Sequence, residues 1–118
     1  MNVNTLKSVY FIGAGGIGMS ALVRYFLSKD KKVGGYDRTP SELTEKLIEE
    51  GAQIHYEESV ELISCDFLDP ETTLIVYTPA IPDTHTELQY FRKHNFTIQK
   101  RAQVLGMLTH SFKGLCAA

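Results

Sequence analysis

Apolar and polar positions alternate in blocks along this chain, and the spacing changes from block to block. Residues 8–12, Ser-Val-Tyr-Phe-Ile, make a short β-branched and aromatic run closed by Gly13, the pattern of a buried strand. From 16 to about 28, Ile17, Ala21, Leu22, Tyr25 and Phe26 recur at helical spacing. Residues 32–36 predict a second strand, ended by Asp37. Thr39-Pro40-Ser41-Glu42 then predicts a helix start, with Thr39 capping free N–H groups, Pro40 in the first turn and Glu42 closing a capping box. Leu43, Leu47 and Ile48 supply its buried face, and Gly51 its stop. A third strand is predicted over 53–56, followed by a segment without clear period to Pro70. Residues 73–77, Thr-Leu-Ile-Val-Tyr, are the clearest strand in the chain. A helix from about 84 to 93, closed by Asn95 in a left-handed conformation, leads to a fifth strand at 97–99 and a last helix at 102–109. The closing Lys-Gly-Leu-Cys-Ala-Ala reads as the opening of another strand.

Strands alternating with helices imply βαβ crossovers, hence a parallel sheet with helices on both faces. In such sheets ligands bind beyond the carboxyl ends of the strands. That rule gathers scattered residues to one edge: the glycine loop after strand one, Asp37 and Arg38 after strand two, His55 near the end of strand three, Thr78-Pro79-Ala80 after strand four, and Lys100-Arg101 after strand five.

Composition narrows the class. The length of 118 residues suits one domain with a real core. Twelve basic against fourteen acidic residues leave a formal charge of −2, without the clustered basic excess of a nucleic-acid surface. The longest uncharged stretch is interrupted by glycines and too short for a bilayer, and no signal-peptide pattern opens the chain, so a cytoplasmic protein without membrane or nucleic-acid partners is expected. The two cysteines have no metal or redox spacing, and the four histidines no i, i+4 pairing, so no metal site is expected.

The candidate chemistry starts at Gly13-Ala14-Gly15-Gly16-Ile17-Gly18, which matches G-x-G-x-x-G in a strand–turn–helix context. The first glycine permits the tight turn, the second lets backbone approach a diphosphate, and the third allows close packing of helix on strand. A phosphate there meets free N–H groups and the positive end of a helix dipole. Asp37 lies where dinucleotide enzymes keep the acid that receives ribose hydroxyls; it can equally cap the next helix. Arg38 beside it reads first as a solvent-facing charge. Lys100 and Arg101 can meet a diphosphate or carboxylate, or simply open a solvated helix. The acidic pairs Glu49-Glu50 and Glu57-Glu58 read as solvated faces. No residue looks like a catalytic acid, base or nucleophile. The pattern is that of a binding module.

Four stretches, "VYFIGAGGIGMSAL", "GGYDRTPSELTEKLIEEGAQIHY", "LIVYTPAIPDTHTEL" and "KRAQVLGMLTH", together resemble the amino-terminal domain of the Mur ligase family, over nearly the whole chain. The resemblance is strongest to the branch that joins L-alanine to UDP-N-acetylmuramate. It implies a three-layer α/β/α Rossmann-like domain with a mainly parallel five-stranded sheet, spanning residues 1–118 and holding UDP. It implies that Gly13, Ala14, Gly15, Gly16, Ile17 and Gly18 cradle the diphosphate and that Asp37, with Arg38 beside it, faces the uridine. Thr78, Pro79 and Ala80 would line the nucleotide, with Arg101 a further candidate. ATP, Mg2+ and L-alanine would belong to central and carboxyl-terminal domains not included in this chain, which alone should bind and not catalyse. Two places depart from the family pattern: Glu57-Glu58 stand where many members have Gly-His, and Thr78-Pro79 where many have a serine pair. No role is therefore carried over to His55 or Glu58. Three alternatives stay open: a murein-peptide recycling ligase, which shares this domain; a nicotinamide-dependent oxidoreductase, suggested by the glycine loop and Asp37; and a nucleotide-sensing regulatory domain with no enzyme attached.

Overall fold

The computed structural model describes residues 6–13, 17–78, 81–82, 84–101 and 103–104, with only the backbone of Ile17 and Gly18. Its elements in chain order are β1 (Ser8–Ile12), α1 (Ile17–Ser28), β2 (Lys32–Tyr36), α2 (Glu42–Glu49), β3 (Gln53–His55), two 3-10 turns (Val60–Leu62 and Cys65–Phe67), β4 (Thr73–Tyr77), α3 (Thr86–Lys93) and β5 (Thr97–Lys100). All five strands are parallel, in the order β3-β2-β1-β4-β5. The last predicted helix and the closing segment lie outside the described residues, apart from Arg101, Gln103 and Val104.

β1 is buried at every position because both faces of the sheet are covered. Its side chains alternate between two cores. Val9 and Phe11 join Met19, Leu22, Val23 and Phe26 of α1 and Leu47 of α2 on one face. Tyr10 and Ile12 join Ile63, Phe67, and Leu88 and Phe91 of α3 on the other. β4 divides the same way, Leu74 and Val76 to the first core and Ile75 to the second. The second core needs a gap in the sheet. A Cβ at Gly34, in β2, would stand 2.7 Å from Cε2 and Cζ of the Phe67 ring.

Helix ends correct the sequence reading in places. α2 starts at Glu42, capped by Ser41 and not by Thr39: Ser41 Oγ accepts the Thr44 N–H at 3.2 Å, and Thr44 Oγ1 accepts the Ser41 N–H at 2.8 Å. Thr39 instead gives its N–H to Asp37 Oδ1 at 3.0 Å, so the turn is spent before Pro40 and the helix begins later. Thr44 and Leu47 are the buried residues of α2, while Ile48 is exposed. The Gly51 stop holds: φ is +119°, and Ala52 N–H reaches Leu47 O while Gly51 N–H reaches Ile48 O. Asn95 closes α3 in the same manner, at φ 61°. α3 begins at Thr86 and not near Thr84, β3 stops at His55, and β5 runs on to Lys100.

Candidate functional site

β2 and β3 lie to one side of β1, and β4 and β5 to the other, so the chain leaves β1 in two directions. Such a switch point opens a crevice beyond the carboxyl ends of the strands. Here that edge holds a cleft of about 420 Å³ lined by Gly13, Tyr36, Asp37, Arg38, Glu58, Thr78, Ile81, Pro82 and His85. Gly13, Asp37, Arg38 and Thr78 are thus brought together, as the sequence predicts. Ala14, Gly15, Gly16, Pro79 and Ala80 lie outside the described residues, as do the surroundings of Ile17 and Gly18. Arg101 is half-buried and is not among the described residues that line the cleft; the neighbouring Lys100 N–H is taken by Gln103 Oε1 at 2.8 Å, a helix-start contact.

Gly13 sits at φ +97°, a region that side chains other than glycine adopt with strain, and its N–H donates to Tyr36 O at 2.7 Å. The turn therefore ties the end of β1 to the end of β2. Asp37 holds its own turn through Thr39, and its N–H donates to His55 O at 3.1 Å. Across the cleft, the Ile81 N–H bonds Thr78 O at 3.0 Å.

A larger cavity, about 540 Å³, opens at the opposite edge, by Ser8, Lys32 and Thr72. None of the predicted site residues lines it. Two of its lysines are engaged within the protein, Lys31 Nζ by Leu6 O at 2.6 Å and Lys32 Nζ by Asp66 at 3.2 Å. Geometry favours the smaller cleft.

The sequence reading missed a buried network next to the cleft. Glu87, in the first turn of α3, is fully buried. Its Oε1 accepts the Tyr10 hydroxyl, while Oε2 accepts the Ser59 N–H at 3.1 Å and lies 2.9 Å from His55 Nε2. Burial, then the Glu87 charge, pushes the Tyr10 phenol well above its ordinary value, which keeps it a donor. His85 is 4% exposed, packs edge-on against Tyr36 with ring centroids 4.8 Å apart, and among the described residues has no hydrogen-bond partner for either ring nitrogen.

Glu58 is exposed, as predicted, but its carboxylate is engaged. Its Oε2 accepts the Thr86 hydroxyl at 2.6 Å and the Thr86 N–H at 2.9 Å, and its Oε1 lies 3.6 Å from His85 Nε2. The Thr86 hydroxyl, then its amide, hold the Glu58 carboxyl below the usual glutamate range, against desolvation and with a smaller contribution from His85. A lowered folded value stabilises above the ordinary 4.5, and the gain is lost as pH falls through the folded value. Thermal melts from neutral pH to pH ~3 should therefore show a shallower acid decline in Glu58→Gln than in the parent, and matching slopes would remove Glu58 from the acid response.

The family model described as "Mur ligase family, catalytic domain" matches residues 8–113. The chain is 80% identical over its whole length to the UDP-N-acetylmuramate–L-alanine ligase of Phocaeicola vulgatus, and 63% identical to that of Parabacteroides distasonis, in each case over 26% of the relative. It therefore spans about a quarter of the length of these curated relatives. Among solved structures, the UDP-N-acetylmuramate-alanine ligase of Thermotoga maritima superposes with a TM-score of 0.74 at 27% identity, over 90% of this chain and 23% of that one. A murein peptide ligase from Psychrobacter arcticus gives a TM-score of 0.72 at 18% identity, over 86% of this chain and 20% of that one, and shares the fold.

Proposed function

This chain belongs to the Mur ligase family, and from that premise we propose that it is the part of an ATP-dependent UDP-N-acetylmuramate–L-alanine ligase that holds the UDP moiety. The observation that carries the reading is the meeting of Gly13, Asp37 and Thr78 in one cleft at the switch point of the sheet. The residues 13–18 loop offers backbone N–H groups and the amino end of α1 to the diphosphate. Asp37 accepts from the ribose diol and repels a 2′-phosphate. Thr78, with Pro79 and Ala80, lines the nucleotide, while Arg38 and Arg101 are further candidates for its charged groups.

In the whole protein, which we place in the cytoplasm, the lactyl carboxylate of the sugar would be phosphorylated by ATP and then attacked by the amine of L-alanine, with loss of phosphate. Among the described residues no group of three or more His, Cys, Asp or Glu is placed to hold a metal ion. As the family resemblance implies, we assign ATP and Mg2+ to the parts of the relatives' length that this chain does not span. This chain binds and orients the substrate. No helix among the described residues is long and apolar enough to cross a membrane. Relatives at 80% and 63% identity carry the L-alanine ligase name, so neither the recycling ligase nor the nicotinamide enzyme is favoured.

Calorimetric titration of the chain with UDP-N-acetylmuramate, UDP and NADH tests the reading. Both UDP ligands should bind and NADH should not; binding of NADH alone would overturn it. Asp37→Ala should weaken UDP binding by about 1–3 kcal/mol, the range for a hydrogen bond to a charged group. A variant with unchanged affinity and a lowered melting temperature would leave Asp37 only its turn with Thr39.

A further inference from the structure

Beside the cleft, the segment after β3 and the start of α3 are joined by two carboxylates that cross. Glu58, in the segment after β3, reaches forward to the hydroxyl and N–H of Thr86 at the start of α3. Glu87, the next residue of α3, reaches back to the N–H of Ser59, the neighbour of Glu58. Two adjacent residues on one segment therefore pin two adjacent residues on the other, in opposite directions. A single bridge would leave the segments free to pivot about it; a crossed pair fixes their orientation as well as their distance.

The two limbs differ in kind. The Glu87 side chain is fully buried and rooted in the centre of the sheet through Tyr10 and at the end of β3 through His55. The Glu58 side chain is 41% exposed and faces the cleft. The Glu58 carboxylate is partly exposed, so solvent screens its bonds to Thr86 and their effect on global stability is small, read mainly in the acid decline. Its location is what distinguishes it. Its Oε1 lies 3.6 Å from His85 Nε2, and Glu58, His85, Ile81 and Pro82 line the cleft together with Asp37 and Gly13.

We propose that Glu58 is a positioning residue for the nucleotide, one limb of a crossed Glu58–Thr86 and Glu87–Ser59 strap that sets the part of the cleft lined by Glu58 and His85. The ligand part rests on the reading of the cleft as a UDP site. Glu58 acts as an acceptor for Thr86, so a neutral acceptor of the same length serves equally. Glu87 anchors the strap, and its removal would threaten the fold, so Glu58 is the residue to vary.

Two measurements on the chain test this. In hydrogen exchange without ligand, Glu58→Ala should speed exchange of the Thr86 N–H by about tenfold or more, because a capped helix end opens locally; unchanged exchange would overturn the strap. In UDP titrations Glu58→Ala should lose about fivefold or more in affinity at nearly unchanged melting temperature, the scale of an ordinary coupling between sites. Glu58→Gln should stay within about twofold of the parent, since its amide oxygen still accepts from Thr86. Parent-like affinity in the alanine variant, or equal loss in the glutamine variant, would overturn the positioning role. A parent chain that binds no UDP but shows the expected exchange would overturn the functional reading and leave the strap standing.

Discussion

Gly13→Val is expected to abolish UDP binding at accessible concentrations, a loss of at least about a hundredfold, or ~2.7 kcal/mol. Two effects combine. The backbone at φ +97° is a genuine outlier for a β-branched residue, and holding it there costs about 1–3 kcal/mol. The new Cβ would stand 3.6 Å from both Thr78 Oγ1 and Ile81 Cδ1, so its methyl groups would project into the space between the loop and the β4 end. Gly13→Ala separates the two, since it shares the strain and carries no further bulk; it should melt lower yet keep part of the affinity. A folded valine variant with the parent's UDP affinity would remove the glycine turn from the site.

The largest effect on stability is expected at Phe67. The side chain is 1% exposed and stacks at 5.6 Å on Tyr10, so Phe67→Ala should cost about 3–5 kcal/mol in chemical denaturation. Gly34→Ala should also destabilise, by roughly 1–3 kcal/mol, because its methyl meets the Phe67 ring inside contact distance. The two are not independent. With the ring gone, the methyl on Gly34 enters space the ring has vacated, so the double variant should lose clearly less than the sum. Strict additivity would show that the ring is not what keeps position 34 a glycine.

These two cases mark what could be read from the residues alone. β1, β2 and β4 are legible to the residue because runs such as Val9-Tyr10-Phe11-Ile12 and Leu74-Ile75-Val76 are buried on both faces, and such burial leaves a continuous apolar signature. The meeting of Gly13, Asp37 and Thr78 was legible too, because the strand-end rule needs only the order of elements. The start of α2 was not: Thr39 to Glu42 and Ser41 to Thr44 offer overlapping capping boxes, and the Asp37 side chain decides between them by taking the Thr39 N–H. The start of α3 depends on Glu58, far away in the chain, which no local pattern reveals. Glu87 is the plainest miss. A glutamate in a first helical turn is ordinarily a solvated charge favoured by the dipole, and only the tertiary fold brings Tyr10, His55 and Ser59 to it. Gly34 gave no sign of its reason, because the ring that requires it comes from the irregular segment before β4.

The parallel register also governs how the chain reaches this state. β1 is the middle strand, yet its partner on one side is β4, with Ser8 opposite Thr73. Everything from α1 to the second 3-10 turn must be made before that pairing can close. Loop closure grows only slowly with length, by about 0.6 kcal/mol per doubling, so the penalty falls on the rate of folding more than on the final stability. In the interval Val9, Tyr10, Phe11 and Ile12 wait with one strand edge unpaired and their apolar side chains uncovered. During synthesis the strand that ends in the glycine turn is therefore the segment most exposed to misassociation with another copy.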